Sequence, residues 1–398
     1  MHPRAVAAVS LVSAAVGGLV VLLVGAAFGW LGGEDAARAI VEVREAPASD
    51  LPIARPVTGN GFYPAAVYAR SSPGVVTVYA VFSGHPEEGA AQGSGFVVSA
   101  QGYVITNSHV ITNAGGGTAG ADARAADRVY VEFEDGERVP ARVVGFDLFD
   151  DVGVLRVDPD DHQLVPLALG DSEAVVVGEP VAAIGSPFGA ENSLAVGVVS
   201  ATRRSISALT SDFRLVDAIQ IDAPINRGNS GGPLLDARGR VIGINAQIRS
   251  TTGNAEGVGF AVPINSAKRS LRELVERGRV VYAYVGISTD NLTPAFARKL
   301  GLPVDHGALI VDVTGAPARK ARLRGGDKEV TLNGEAVTVG GDIVVAIAGR
   351  PVRSGDDLVR IVTHVLRPGQ TVDFTVVRDG KRIQVPVRLA ERPLDPSR

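Results

Sequence analysis

The sequence predicts a mostly β chain of two globular units preceded by one N-terminal transmembrane helix. Three observations carry this reading. Valine-rich segments recur between glycine, proline and aspartate turns, the pattern of short strands. The 398 residues exceed what a single core ordinarily holds. No residue from Ala5 to Leu31 is charged.

The apolar run comes first. As a helix at about 1.5 Å per residue it spans roughly 40 Å, enough to cross a bilayer with some tilt. A cleaved signal peptide is the rival reading, but its apolar region is usually only about 7 to 15 residues. Arg4 precedes the run and by the positive-inside tendency stays cytoplasmic, which sends everything after Trp30 across the membrane. The expected organisation is an anchor over 1–31 and a tether over 32–61. The tether is mixed, charged and proline-containing, with no sustained period.

From Phe62 onward, β-prone segments follow one another without intervening helices: Val75–Phe82, Gly95–Val98, Tyr103–Thr106, Val129–Phe133, Val152–Val157, Val175–Ile184 and Val241–Ala246. Strands of this length in this number call for barrels or sandwiches. The period then switches to helical over Ile264–Arg277, with Ala267, Leu271, Leu274 and Val275 on one face and Gly278 placed to end it. This helix closes a unit over 62–278. A second β-rich unit follows over 279–393, with a short tail over 394–398. Its one clear helix runs Gly355–Leu366, opened by Ser354 with Asp357 three residues on and striped by Leu358, Ile361, Val362 and Val365. Asn333-Gly334 signals a two-residue hairpin.

Composition excludes several chemistries. With 39 basic and 43 acidic residues, the net charge is -4 and no like-charge run marks a nucleic-acid arm. There are no cysteines, hence no disulfides, thiolate nucleophile or cysteine metal site. Nothing in the sequence calls for a cofactor or a metal, so none is expected.

The string Asn226-Arg227-Gly228-Asn229-Ser230-Gly231-Gly232-Pro233-Leu234 is the most informative. A serine hydroxyl is a weak nucleophile; it needs a base and backbone amides aimed at the oxyanion formed on attack. Glycines beside Ser230 let the chain turn tightly enough to bring the amides of Gly228 and Ser230 to one point, although plain glycine-rich turns share this composition. Six histidines compete to be the base. His109 stands out because Thr106-Asn107-Ser108-His109-Val110 follows a strand pair, where a strand end can hold an imidazole at a cleft edge. Asp151 leads into the apolar segment Val152–Leu155 and can be the buried acid that orients the imidazole. The chain order His, Asp, Ser is that of chymotrypsin-like double barrels.

These residues together with Gly93–Val98, Ile184-Gly185-Ser186-Pro187-Phe188-Gly189 and Gly257–Pro263 resemble the HtrA (Deg) family of serine proteases. The resemblance implies a chymotrypsin-like double β-barrel protease domain with Ser230 as nucleophile, His109 as general base and then acid, Asp151 as orienting carboxylate, and Gly228 and Ser230 as oxyanion donors. It also places Ile225 and Gln247 in the S1 pocket, implying small or medium aliphatic P1 residues. The second unit resembles a PDZ domain. Tyr284-Val285-Gly286-Ile287 matches its carboxylate-binding loop, where a peptide C-terminus is held while the peptide adds as a strand. The Asn333-Gly334 hairpin is extra relative to the shortest PDZ sequences and is expected to cover part of that groove.

The chain departs from the family pattern at Arg227, where many members have proline, at Gly153, where alanine is common, and in the long Asn113–Asp127 loop. The expectation is a membrane-anchored endopeptidase acting outside the cytoplasmic membrane on unfolded or mislocalised polypeptides, whose C-termini the PDZ domain selects or senses. By resemblance it is a homotrimer joined through Phe62 and Tyr63. The alternatives are a catalytically idle chaperone and a peptide-binding scaffold.

Overall fold

The computed structural model describes residues 61–82, 90–116, 120–186, 192–208, 210–211, 213–226, 228–246, 258–332 and 334–394. The apolar run Ala5–Leu31, the tether up to residue 60, Pro187–Gly189, Arg227, Gln247 and Asn333 lie outside them. Among the described residues, no helix is long and apolar enough to cross a membrane.

A short helix, α1 (Pro64–Ser71), leads into six strands: β1 (Val75–Val81), β2 (Ala90–Val97), β3 (Tyr103–Thr106), then, after the single-turn helix α2 (Ser108–Ile111), β4 (Arg128–Glu132), β5 (Arg138–Asp147) and β6 (Val152–Val157). They close into an antiparallel barrel in the order β1-β2-β3-β6-β5-β4. A second barrel uses β7 (Pro180–Gly185), β8 (Ser193–Ser207), β9 (Arg214–Ile221), β10 (Pro233–Leu235), β11 (Val241–Ala246) and β12 (Gly259–Pro263), in the order β10-β11-β12-β9-β8-β7.

Side-chain alternation explains how each strand serves two cores. Val76, Val78 and Ala80 of β1 fill the first barrel with Val104, Val131 and Leu155. Val181 and Ala183 of β7 fill the second with Ile219, Ile221 and Leu234. The residues between them, Val75, Ala182 and Ile184, face a third cluster with Phe96, Ile105, Val154, Ile244 and Val262 that joins the barrels. Phe62 belongs to this cluster and is 1% exposed within the single chain, so of the expected oligomer pair only Tyr63, 66% exposed, is free to meet a second copy.

Helix α3 (Ile264–Arg277) closes the barrels where the sequence places it, and Gly278 ends it in the left-handed region (φ 71°) with its N–H on the Leu274 carbonyl. Its inner face is not purely apolar. Val275 is exposed, while Arg269, Ser270 and Glu273 are buried beside Ala267 and Leu274. The expected strand Val175–Ile184 begins only at Pro180. Val176 and Val177 are exposed, and the chain turns at Gly178.

After β13 (Ala283–Tyr284) and β14 (Ser288–Leu292) come α4 (Pro294–Leu300), β15 (Gly307–Asp312), α5 (Ala316–Lys320), the β16 (Lys328–Leu332) and β17 (Glu335–Val339) hairpin, β18 (Ile343–Ile347), β19 (Arg350–Pro351), α6 (Gly355–Arg360), β20 (Thr371–Arg378), β21 (Lys381–Arg388) and β22 (Ala390–Glu391). The main sheet runs β14-β15-β18-β20-β21, leaving β14 at its edge, and β22 pairs with β13. Strands β16 and β17 pair antiparallel with Leu332 opposite Glu335, and of the hairpin predicted between them Asn333 lies outside the described residues. Val330, Val337 and Val339 of this pair pack with Leu309 and Ile343. Helix α6 opens as expected, with the Asp357 N–H on Ser354 Oγ at 3.1 Å. Its second half, Ile361–Val365, is a π turn, and the Leu366 N–H bonds back five residues to Ile361. That slip in phase exposes Val365 and buries Leu366 in its place.

Candidate active site and peptide groove

The site forms at the seam between the barrels. The turn of α2 after β3 carries His109, and the Asp151 carboxylate, at the head of β6, reaches it from the side. Nδ1 of His109 lies 2.8 Å from Asp151 Oδ2, with side-chain exposures of 12% and 6%. Asp151 is held from every direction. Its Oδ1 accepts from Ser108 Oγ (2.8 Å) and the His109 N–H (3.0 Å), and its carbonyl accepts from Asn107 Nδ2 (2.8 Å). Burial of the ring disfavours the imidazolium, but the Asp151 charge and hydrogen bond outweigh it, so the His109 pKa lies above the ordinary histidine value.

The Ser230 turn is seated against the same segment. Its carbonyl accepts from the Ser94 N–H at 2.8 Å, and the Gly231 N–H donates to Asn245 at 2.8 Å. A Cβ on Gly231 would fall 2.1 Å from the Ser94 carbonyl and 3.1 Å from the Asn107 N, so only glycine lets the serine turn approach the histidine turn this closely. Ser230 is 4% exposed, and its Oγ makes no hydrogen bond. The structure therefore pairs His109 with Asp151 and seats the Ser230 turn against Ser94 and Asn107, two residues before His109, without a serine–histidine hydrogen bond. Such bonds are often long or misaligned in a free enzyme and tighten on substrate.

The two amides singled out as oxyanion donors are available. The Asn229 N–H is taken by Asn226 and the Gly232 N–H by Asn229, whereas those of Gly228 and Ser230 have no partner among the described residues. Of the expected S1 pair, Ile225 is half-buried against the second-barrel core, and Gln247 lies outside the described residues.

Two buried residues without an expected role hold this geometry. Ser94 Oγ donates to the Gly228 carbonyl at 2.5 Å and accepts from the Ser186 N–H at 2.9 Å. Asn245 Nδ2 donates to the Pro233 carbonyl at 3.1 Å, while its backbone binds Gly231 and Gly232. The sequence signals are slight: Asn245 is a polar residue between apolar strand neighbours, and Ser94 sits between two glycines of the Gly93–Val98 string.

A second cleft, of about 570 Å³, lies between β14 and α6 and is lined at one end by Tyr284, Val285, Gly286 and Ile287. The Val285 carbonyl is bound by the Ala318 N–H, and the Gly286 carbonyl by those of Thr314 and Gly315. In a trans peptide the N–H opposes the carbonyl, so the amides of Gly286 and Ile287 are turned away from these bonds. Neither has a partner among the described residues. The β16–β17 hairpin contributes nothing to this cleft, which corrects the expectation that it covers the groove, because its apolar side is committed to the Leu309 cluster. Instead Phe213 and Arg214, at the start of β9 of the second barrel, form a wall. Two arginines fix α6 and its π turn, one to strand β9 and one to helix α3. Arg360 Nε reaches both oxygens of Asp217 at 2.7 and 2.8 Å, and Arg269 Nη1 binds the Thr363 carbonyl at 2.7 Å.

Comparison with known proteins agrees with this geometry. Residues 93–244 match the trypsin-like peptidase domain and residues 283–389 the PDZ domain. A probable periplasmic serine endoprotease DegP-like of Brucella suis is 36% identical over 313 residues, 78% of this chain and 55% of the relative. Its counterpart in Halomonas elongata is 37% identical over 311 residues, covering 78% and 58%. The chain thus spans little more than half the length of these curated relatives. Among solved structures, the HtrA-type protease AlgW with tripeptide superposes with a TM-score of 0.67 at 31% identity, covering 83% of this chain and 98% of that one. A serine endoprotease from Yersinia pestis gives 0.58 at 28%, with the same coverage. The chain belongs to the HtrA family of serine proteases with a C-terminal PDZ domain.

Proposed function

We propose that this chain is a serine endopeptidase in which Ser230 attacks the scissile carbonyl, His109 takes the Ser230 proton and passes it to the leaving amine, and Asp151 holds the imidazole and favours its charged form. The Gly228 and Ser230 amides receive the oxyanion. The observation that carries this is the buried His109–Asp151 pair at 2.8 Å, with the Ser230 turn locked beside it. Its substrates are unfolded or mislocalised polypeptides outside the cytoplasmic membrane, consistent with the periplasmic label of its relatives. The apolar run Ala5–Leu31 tethers the enzyme to the membrane, the domains divide at 62–278 and 279–393, and the PDZ groove binds peptide C-termini. The working form is a homotrimer, with Tyr63 offered at its contact. Casein digestion by the purified chain, with and without peptides bearing apolar C-termini, tests the reading against Ser230→Ala. Cleavage by the wild type alone supports it. Identical behaviour of the two proteins under every condition would favour the idle chaperone.

A further inference from the structure

The groove between β14 and α6 has charges sorted by end. At the carboxylate-loop end stand Arg392 and Arg214. The Arg392 guanidinium lies 3.8 Å from the Phe213 ring centroid and 4.9 Å from that of Phe149, and its backbone N–H binds the Tyr282 carbonyl. Burial pulls its pKa down to about 10, which still leaves it charged at neutral pH. Arg214 is braced by a 2.7 Å bond to the Ser205 carbonyl. The other end carries Asp290 on β14 and Asp356 on α6, both lining the cleft. Neither carboxylate has a hydrogen-bond or ion-pair partner among the described residues, whereas the neighbouring Asp357 is committed to Arg360 and the Arg353 N–H. The start of α6 is tied to this part of β14. The Gly355 N–H donates to Asn291 Oδ1 at 2.7 Å, and Thr289 Oγ1 lies 2.7 Å from where a Cβ on Gly355 would sit. Asp356 is therefore held beside the Thr289–Asn291 stretch. Between the two ends the floor is apolar, formed by Val285, Ile287, Leu358 and Val362.

We propose that the groove selects peptides with an apolar C-terminal residue and a lysine or arginine two or three positions before it. The inference rests on the reading that this groove captures C-termini. A peptide whose carboxylate sits at the Gly286 and Ile287 amides and whose backbone adds to the free edge of β14 runs antiparallel to that strand. Each residue advances about 3.3 Å along both strands. Asp290, three residues beyond Ile287, then faces the peptide two to three residues upstream of its end. Thr289 and Asn291 turn toward the start of α6, so by strand alternation Asp290 serves the position three before the end and Asp356 the position two before it. A cation at either meets an unpaired carboxylate, and an acidic residue meets repulsion. At the opposite end Arg392 and Arg214 complement the carboxylate, so the dipolar groove also fixes the direction of the peptide.

The test uses the full-length chain in detergent, as Ser230→Ala so that no ligand is cleaved, and fluorescent hexapeptides ending in valine. A single lysine or glutamate is moved through the five upstream positions, and each peptide is made with a free and an amidated C-terminus. Anisotropy is expected to give about fivefold tighter binding for lysine than for glutamate two or three positions before the end, and no comparable difference elsewhere. The preference should fade in high salt and disappear in the Asp290→Asn/Asp356→Asn double variant. Equal affinities for lysine and glutamate, with the free acid still bound better than the amide, would overturn the charge selection and leave C-terminal capture standing. Equal binding of acid and amide would overturn C-terminal capture itself.

Discussion

At the scale of single residues, the site is a His109–Asp151 pair bonded to each other and a serine, Ser230, held by its backbone, for which we propose the roles of base, orienting acid and nucleophile. Because Asp151 raises the His109 pKa, the neutral imidazole that the proposed attack needs becomes the major form only at a higher pH than in an ordinary histidine. The acid limb of kcat/KM against pH, read on a small peptide ester, should have its midpoint above that of free histidine; a midpoint at or below it would remove Asp151 from its role. The same shift has a stability consequence of fixed sign. The His109–Asp151 contribution is fully present below the unfolded histidine pKa and declines as pH rises through the folded one. Ser94 makes a second residue-scale prediction. Removing its hydroxyl leaves a buried carbonyl at Gly228 and a buried N–H at Ser186 without their partner, which costs about 1–3 kcal/mol and loosens the Gly228–Ser230 turn that we propose receives the oxyanion. Ser94→Ala should lower kcat roughly tenfold with little change in KM, and an unchanged kcat would show that the turn holds without it. The three residues of the proposed triad could be singled out because each sits in its own short string. Ser94 was not, because its work is to satisfy a backbone group 134 residues away, a pairing only the folded chain reveals.

At the scale of elements, periodicity located what local forces decide and missed what the neighbours decide. Helix α3 and the start of α6 were legible from caps and stripes. The π turn after Arg360 was not, since its sequence continues a sound helical stripe and only the packing of Leu366 forces the slip. Likewise Val176 and Val177 carry β propensity, yet they lie before the barrel edge at Pro180, where the Val176 carbonyl closes a turn onto Glu179 and no strand among the described residues pairs with them. The departure at Gly153 also has a local cause. A Cβ there would lie 2.7 Å from Ile111 Cδ1 and 3.1 Å from the Asn107 carbonyl, so the larger side chain on α2 occupies the space an alanine on β6 would need. Gly153→Ala should therefore cost about 1–2 kcal/mol, and Ile111→Val, which removes the clashing methyl, should recover most of it in the double variant. Additive losses in chemical denaturation would show that the two positions do not share this space.

At the scale of the whole molecule, the turn that delivers Asp151 is bound to the segment leading into the PDZ domain, a connection no motif announces. Asp147, 2% exposed, accepts hydrogen bonds from Ser270 Oγ of α3 (2.7 Å) and from the Tyr282 hydroxyl (2.6 Å), and caps the turn through the Phe149 N–H at 3.0 Å. Phe149 meets Tyr282 edge to face at 5.0 Å, and Arg392 stacks over Phe149 from the far end of the domain. Burial, then the charge of Asp150, pushes the Asp147 pKa up to about 6 against the hydrogen bonds of Tyr282 and Ser270. The folded protein thus keeps a proton between about pH 4 and 6 that the unfolded chain has released. Its stability must fall as pH rises across that window and gain nothing further above it from this group. Asp147→Asn removes the titration while keeping the shape, so the melting temperature of the variant relative to wild type should climb by several degrees from pH 4 to pH 6.5 and then level off. Parallel melting curves for the two proteins across this range would mean that Asp147 is ionised at the domain junction throughout, and that the junction holds its charge without the cost burial implies.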